Sequence, residues 1–293
     1  MKLYILANPH AGHKQAHKVL ASIADLYPNL ELVPYFTRGM DDEVNQVNKI
    51  LNQLDLQEDR LLILGGDGTL SKTLACLPPS YPFAYYPTGS GNDFARSLGI
   101  WDLNSVLHAL LIGSSRPLTI VQSSLGTVVN SLDMGYAAQV IAYSENSKLK
   151  SFLNTVKMGK LTYLCFGLLS LFSPSLPPVR MWIDGQEQVV EQLFFLSCAN
   201  NTYFGGGIMI WPESSAYTSQ IDLVWFSRGN FWSRVRALVA MLLGRHHHSP
   251  FLYHQTCSQL VLATEETVAL QIDGELVHTK EVRLSCQERR IYL

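Results

Sequence analysis

The stretch Leu61-Leu62-Ile63-Leu64-Gly65-Gly66-Asp67-Gly68-Thr69-Leu70 constrains the fold more than any other part of the chain. Four consecutive apolar residues without alternation predict a strand buried on both faces of a parallel sheet. The turn that follows sets three glycines around one carboxylate. Glycine has no Cβ, so such a turn brings backbone close to a ligand and aims N–H groups at a phosphate. Asp67 falls at the carboxyl end of the strand, where open α/β sheets place their ligands. The stretch lacks both the Gly-Lys-Ser/Thr of a Walker A loop and the Gly-x-Gly-x-x-Gly of a dinucleotide fold. A plain strand-to-helix turn with a helix-capping Asp is the alternative.

Similar units flank this one. Residues 2–7 predict a strand ending in the turn Asn8-Pro9-His10-Ala11-Gly12, before a helix over about 13–26. Asn8 can offer its side-chain amide to a ligand at that strand end. A strand over 30–36 runs into Thr37-Arg38-Gly39, and Asp41-Asp42 then opens a helix reaching about residue 54. Val44, Val47, Ile50, Leu51 and Leu54 share one face of that helix. A strand over 82–86 leads into Pro87-Thr88-Gly89-Ser90-Gly91-Asn92-Asp93, where small and capping residues crowd a helix start. A helix N-terminus carries free N–H groups and binds anions. Capping by Ser90 or Asn92 is the simpler role, but two glycine-rich turns after neighbouring strands favour a shared phosphate site.

Strand–helix alternation through about residue 112 predicts a parallel sheet between helices. The character then changes, with short β-rich runs at 118–123, 127–134, 179–183, 188–199, 221–226, 259–263, 267–271 and 281–285. Asp184-Gly185 and Asp273-Gly274 punctuate them, as in an antiparallel sandwich. The expected division is an α/β domain over 1–120 and a β-rich domain over 121–293, whose last strand is free to return to the first domain. Two helical segments interrupt the second domain: apolar 151–172 with Lys157 and Lys160, and amphipathic 232–243 with Arg234 and Arg236. Core packing accounts for most of both, and a membrane-facing role fits where apolar and basic residues mix.

The chain has 293 residues, 47% of them hydrophobic, which suits a sizeable core and argues against disorder. A net charge of −2 gives no case for a nucleic-acid surface. Cys76, Cys165, Cys198, Cys257 and Cys286 are scattered, with no Cys-x-x-Cys pair, as expected of free thiols in a reducing compartment. The apolar start, residues 1–7, is too short and too soon followed by polar residues for a signal peptide, and reads as a strand. The longest apolar run, 161–172, falls short of the ~20 residues that span a bilayer. The expectation is a cytoplasmic protein, peripheral where it meets a membrane.

Five motifs in order then carry a resemblance. Asn8-Pro9-x-Ala11-Gly12, Gly65-Gly66-Asp67-Gly68-Thr69, Pro87-x-Gly89-Ser90-x-Asn92-Asp93-Phe94-Ala95-Arg96, Gly244-Arg245-His246 and Asp273-Gly274-Glu275 resemble the diacylglycerol kinase and sphingosine kinase catalytic fold, in its bacterial soluble lipid-kinase branch. That resemblance implies a phosphofructokinase/NAD-kinase-like α/β domain, an antiparallel β-sandwich, and a nucleotide site in the cleft between them. It implies ATP and Mg²⁺, and a lipid alcohol at a membrane surface as acceptor. Thr37, Gly65, Gly66, Asp67, Gly68, Thr69, Leu70, Ser71 and Ser90 match the family's nucleotide contacts; Asn8 and Asn92 join them from the turn chemistry above. Glu275 matches the family's proposed general base, and Asp67 its carboxylate near the phosphates. Such a base is useful because a lipid alcohol is a poor nucleophile.

The pattern departs from the family in places. Thr218-Ser219 stands where the family writes an Asp-Gly whose Asp ligates a structural magnesium, and a neutral hydroxyl is a poor Mg²⁺ ligand. Gly135-Tyr136-Ala137-Ala138 stands for Gly-x-Asp-Ala, and Ser71 for an Asn. No ligand set for a resident metal is therefore assigned, and His246-His247-His248 reads as a helix end. Three readings follow: a lipid kinase, a catalytically silent nucleotide- or lipid-binding regulator, and a kinase of a soluble substrate such as NAD. Which lipid, and whether the chain forms a homodimer, are open at this level.

Overall fold

A computed structural model of the chain describes residues 1–12, 15–146 and 167–293. The first half alternates as its sequence requires: β1 (Lys2–Ala7), α1 (Ala16–Leu26), β2 (Glu31–Phe36), α2 (Glu43–Leu51), β3 (Arg60–Gly65), α3 (Asp67–Cys76), β4 (Ala84–Pro87), α4 (Asp93–Leu98) and α5 (Leu103–Leu111). The strands form a parallel sheet in the order β2-β1-β3-β4. Leu61, Leu62, Ile63 and Leu64 of the central β3 are at most 2% exposed, the burial on both faces that an unbroken apolar run demands. In α2, Val47 and Ile50 are buried and Leu51 packs against the core. Val44 turns to solvent instead, and Glu43 and Gln46 take buried positions.

The second half contributes β5 (Ser115–Ser123), β6 (Gly126–Val128), β7 (Ser131–Gly135), α6 (Tyr136–Asn146), β8 (Val179–Ile183), β9 (Gln186–Val190), β10 (Leu193–Ala199), β11 (Tyr203–Phe204) and β12 (Ile208–Met209). It ends in β13 (Ile221–Ser227), α7 (Phe231–Leu242), a 3-10 turn at His246–His248, β14 (Tyr253–Cys257), β15 (Gln259–Ile272) and β16 (Glu275–Tyr292). Ten of these strands form a largely antiparallel sheet, whose main path runs β14-β13-β10-β7-β15-β16-β5-β6 with β8 and β9 branching from β15. Residues 259–263 and 267–271, expected as separate strands, are joined in β15, which absorbs a register shift between Ala263 and Val268. The run expected over 127–134 breaks at Val129 and Asn130, because their N–H groups bond to a side chain instead of to a neighbouring strand. The apolar segment expected over 151–172 lies outside the described residues up to 166.

Strand β13 is covered on both faces. In β13, Ile221, Leu223 and Trp225 enter one core cluster, while Val224 and Phe226 enter another against α7. That is the period of 2 of a strand with no solvent face. The four described cysteines are free. No helix among the described residues is long and apolar enough to cross a membrane.

The end of β16 returns to the first sheet. Phe83 donates its N–H to the Arg290 carbonyl at 3.1 Å, and Tyr292 donates to the Phe83 carbonyl at 2.8 Å. Ile291 and Tyr292 belong to the core built on β1 and β3. Arg289, 3% exposed, donates to the carbonyls of Leu74 (2.7 Å) and Leu77 (2.5 Å). It satisfies acceptors at the C-terminus of α3, where the macrodipole favours a cation. Burial pulls its guanidinium down to about 10. Arg289→Ala leaves those carbonyls unpaired and is expected to lower unfolding free energy by about 3 kcal/mol, read from urea unfolding.

Candidate active site

Three loops meet at the carboxyl ends of β1, β3 and β4, and glycine permits the approach. A Cβ on Gly89 would lie 2.6 Å from the Gly66 Cα, and one on Gly12 would lie 2.5 Å from the Thr88 carbonyl oxygen. No side chain fits between such backbones. Hydrogen bonds then hold the loops in register. Asn8 donates its N–H to the Leu64 carbonyl at 2.9 Å, and Thr88 donates to the Gly65 carbonyl at 2.8 Å. The Asn8 Nδ2 reaches Thr69 Oγ1 at 3.0 Å, and the Tyr85 hydroxyl donates to the Gly65 carbonyl at 3.2 Å.

Asp67 opens α3, so it sits beside the first-turn N–H groups that have no intrahelical acceptor. One carboxylate oxygen, Oδ2, accepts the Asp93 N–H at 2.9 Å, and the other, Oδ1, is buried without a partner. Burial pushes this carboxyl up, and the Asp93 carboxyl adds to the push. Asn92 adopts φ +55° and donates to the Gly89 carbonyl at 2.8 Å.

The remaining sequence-selected residues divide. Thr37 is buried at the end of β2, and Ser90 is exposed on its loop. Gly65, Gly66, Gly68 and Thr69 lie on the turn and first helical turn beside Asp67. Leu70 has its side chain wholly in the core, so only its backbone can take part. The Ser71 hydroxyl faces away from the loops, donating to the Thr127 carbonyl at 2.8 Å. Glu275 stands exposed at the start of β16, with its Oε1 2.9 Å from Lys72 Nζ; Asp41 Oδ1 lies 2.8 Å from the same nitrogen. Burial works against the Lys72 ammonium, and its two carboxylate partners outweigh it, pushing it up to about 12.

Two further carboxylates converge with Asp67. Asp93, 3% exposed, meets Arg96 Nη1 at 2.7 Å and accepts the Gly206 N–H at 2.7 Å, tying the Asn92 loop to the β11–β12 hairpin. Asp273 adopts φ +49° in the β15–β16 turn and accepts N–H bonds from Val129 (2.8 Å), Asn130 (2.7 Å) and Ser131 (3.1 Å). Burial pushes its carboxyl up to about 7 against those bonds, with the Asp67 charge adding to the shift.

Asp67, Asp93 and Asp273 line a cavity of about 490 Å³. Beyond them the walls turn apolar, with Phe194, Phe226, Leu238 and Met241. Phe204 also lies on this wall. Leu168 is 54% exposed and faces out, while Tyr163 and Phe166 lie outside the described residues. Arg234 lines the cavity: its guanidinium stacks 4.0 Å above the Phe194 ring and donates to the Leu171 and Ser173 carbonyls. Ala137 also lines it, so the missing family carboxylate is missing from the cavity wall.

Behind Asp273 lies a network that the sequence reading missed. Asp133, wholly buried in β7, accepts from Ser131 Oγ at 2.7 Å and from Gln271 Nε2, while Gln271 Oε1 accepts the Gly274 N–H. The turn bearing Asp273 and Glu275 is thus held from beneath. A lone carboxylate in the apolar run Leu132-Asp133-Met134 was the available signal. Lys72 left none, because only the packing of β16 against α3 brings it to Glu275.

A resident magnesium at the 215–220 turn does not fit. Thr218 donates both its hydroxyl (2.8 Å) and its N–H (3.1 Å) to the Ser215 carbonyl, so the turn closes on itself. Asp222 is engaged by His254 Nε2 at 2.7 Å. The histidine run is not a metal centre either: His246 is buried against the Met209 carbonyl, and His247 meets Glu213. Among the described residues no group of three or more His, Cys, Asp or Glu could hold a metal ion. The buried free Asp67 Oδ1 does fit a cation that arrives with phosphates.

Comparison with known proteins decides the family. Residues 2–123 match the diacylglycerol kinase catalytic domain, and residues 130–292 match the YegS C-terminal NAD kinase beta sandwich-like domain. The chain joins a diacylglycerol kinase catalytic domain to a YegS-type C-terminal domain. A diacylglycerol kinase of Bacillus subtilis is 28% identical over 281 residues, covering 92% of this chain and 88% of that one. A diacylglycerol kinase of Mycobacterium tuberculosis is 24% identical, covering 84% and 79%. The crystal structure of a diacylglycerol kinase from Bacillus anthracis aligns with a TM-score of 0.70 at 17% identity, covering 99% and 96%. An NAD kinase of Archaeoglobus fulgidus in complex with ATP shares the fold, with a TM-score of 0.51 at 13% identity over 100% and 94%.

Two outcomes test this geometry. Gly89→Ala forces backbone apart at the loop junction and is expected to cost about 1–3 kcal/mol, visible as a lowered thermal midpoint. Burial pushes Asp133 up to about 6, so the folded state retains a proton that the unfolded chain releases. That contribution is full below pH ~4 and is lost as pH rises through about 6. Asp133→Asn should remove a pH-dependent component of up to about 3 kcal/mol, measured by urea unfolding across that window.

Proposed function

We propose that this chain is an ATP-dependent kinase of diacylglycerol or a related lipid alcohol. One observation carries the reading: a single cavity lined by apolar side chains and by the carboxylates Asp67, Asp93 and Asp273, with Gly91 of the glycine loops in its lining. Such a site suits a molecule with a long hydrocarbon body and a single reacting hydroxyl. The nucleotide would lie in the cleft, its phosphates on the backbone of residues 65–69 and 88–92, with Asn8 and Asn92 fixing the loops and Thr37 at the neighbouring strand end.

In the reaction the lipid oxygen attacks the γ-phosphorus. A new P–O bond forms as the bond to ADP breaks, and the hydroxyl proton passes to a carboxylate. Glu275 is assigned as that base; it follows Asp273 and Gly274 of the cavity lining but is not itself part of that lining. Lys72 orients it and would have to yield as substrate enters. Asp67 Oδ1 is free to meet a cation accompanying the phosphates. Mg²⁺ bound with ATP supplies charge neutralisation there. A silent regulator is the second reading, favoured by Ala137 on the cavity wall and by the Glu275–Lys72 pair. The apolar walls disfavour a nicotinamide dinucleotide as acceptor.

ATP consumption with Mg²⁺ and mixed micelles of diacylglycerol tests the reading. Lipid-dependent turnover is expected, none with NAD, and none in Asp67→Ala. Glu275→Gln should lower kcat by about 10²-fold or more with ATP affinity unchanged. Turnover undiminished in Glu275→Gln would remove its role as base. ATP binding without turnover on any lipid alcohol would favour the regulator.

A further inference from the structure

Helix α7 is apolar on two opposite sides. Its inner side places Ala237, Leu238 and Met241 on the cavity wall. Its outer side carries Trp232, Arg236, Val239 and Leu243 at spacings of four, three and four, one stripe of a helix. Trp232 is 67% exposed and Leu243 is 62% exposed, with Val239 and Leu242 exposed beside them. The stripe continues onto the neighbouring turn, where Phe172, 73% exposed, stacks on Phe231 with ring centroids 4.7 Å apart. A helix apolar all round is ordinarily buried, and singly scattered apolar residues would not form a continuous patch. Of the two arginines of the helix, Arg234 turns into the cavity and Arg236 remains on the outer side.

We propose that this outer side of α7, with Phe172, is where the protein seats on an anionic lipid bilayer. Charge sets the choice of partner. The helix carries no acidic residue, and Arg236 and Arg245 are exposed with no carboxylate partner among the described residues. Tryptophan, aliphatic side chains and arginine on one helix face suit the headgroup boundary, where basic residues are attracted to an anionic surface. The cavity lies directly beneath. A bilayer against this helix would be separated by one wall from the chamber that the proposed reaction assigns to the acyl chain. The inference rests on the lipid-kinase reading for that last step only; the seating itself is independent of turnover.

Vesicle sedimentation tests it, using equal parts phosphatidylcholine and phosphatidylglycerol against phosphatidylcholine alone. The parent chain should bind the anionic vesicles and release them at high salt. Brominated lipid should quench fluorescence in the parent, and Trp232→Phe should remove most of that quenching. Trp232→Glu with Leu243→Glu should weaken binding by about tenfold or more while preserving thermal midpoint and turnover of short-chain diacylglycerol free in solution. Arg236→Gln should bind more weakly and with less salt dependence. Parent-like vesicle binding by the double variant would overturn the proposal. So would a parent that ignores anionic vesicles, or one that sediments as a dimer dissociated by Trp232→Glu, which would assign the face to a second copy. Vesicle binding without lipid turnover would uphold the seating and count against the kinase reading alone.

Discussion

Asp273 accepts three backbone N–H bonds from the strand break at residues 129–131. Most of the polar site depends on that arrangement. The break ends the pairing of β6 and lets β7 begin in another part of the large sheet. The same bonds draw the β15–β16 turn toward the α3 N-terminus, so that Asp273 and Asp67 face one opening. A buried carboxylate without those donors would be costly to hold, and three N–H groups at a strand break would be equally costly unpaired. Each solves the other's problem. Asp133 and Gln271 then hold the turn from below, through the Gly274 N–H.

The two halves of the fold contribute different chemistry to the opening. The parallel sheet supplies loops whose backbones touch, which is why glycine stands at Gly12, Gly66 and Gly89. The antiparallel sheet supplies volume: the space between its outer face and helices α6 and α7 is lined by aromatic and aliphatic side chains. Carboxylates pushed up by burial sit where these environments meet. In the proposed reaction they would stand between a highly charged phosphate donor and a nearly uncharged acceptor.

Much of this was legible in the chain. The run Leu61–Leu64 could only be a strand with no solvent face, and the glycines after it marked a close backbone approach. Asp67, Asn8 and Asn92 were selected because strand ends in a parallel sheet are where ligands bind. Ser71 and Leu70 were selected on the same motif, yet one is spent on the Thr127 carbonyl and the other on the core. Motif spacing carries no information about which way a helical residue turns. The histidine run and Thr218 likewise revealed their roles only when their acceptors, the Met209 and Ser215 carbonyls, were in place.

The sequence by itself determined the parallel first sheet, the antiparallel second half and the glycine loops. Those depend on local periodicity and on backbone sterics, which act over a few residues. Tertiary structure alone decided that Asp93 and Asp273 join Asp67, that Lys72 reaches Glu275, that Arg234 turns inward, and that α7 keeps an apolar side in solvent. Each of these is a contact between residues tens or hundreds of positions apart, or a choice of face made by the neighbouring element, and no local pattern encodes either.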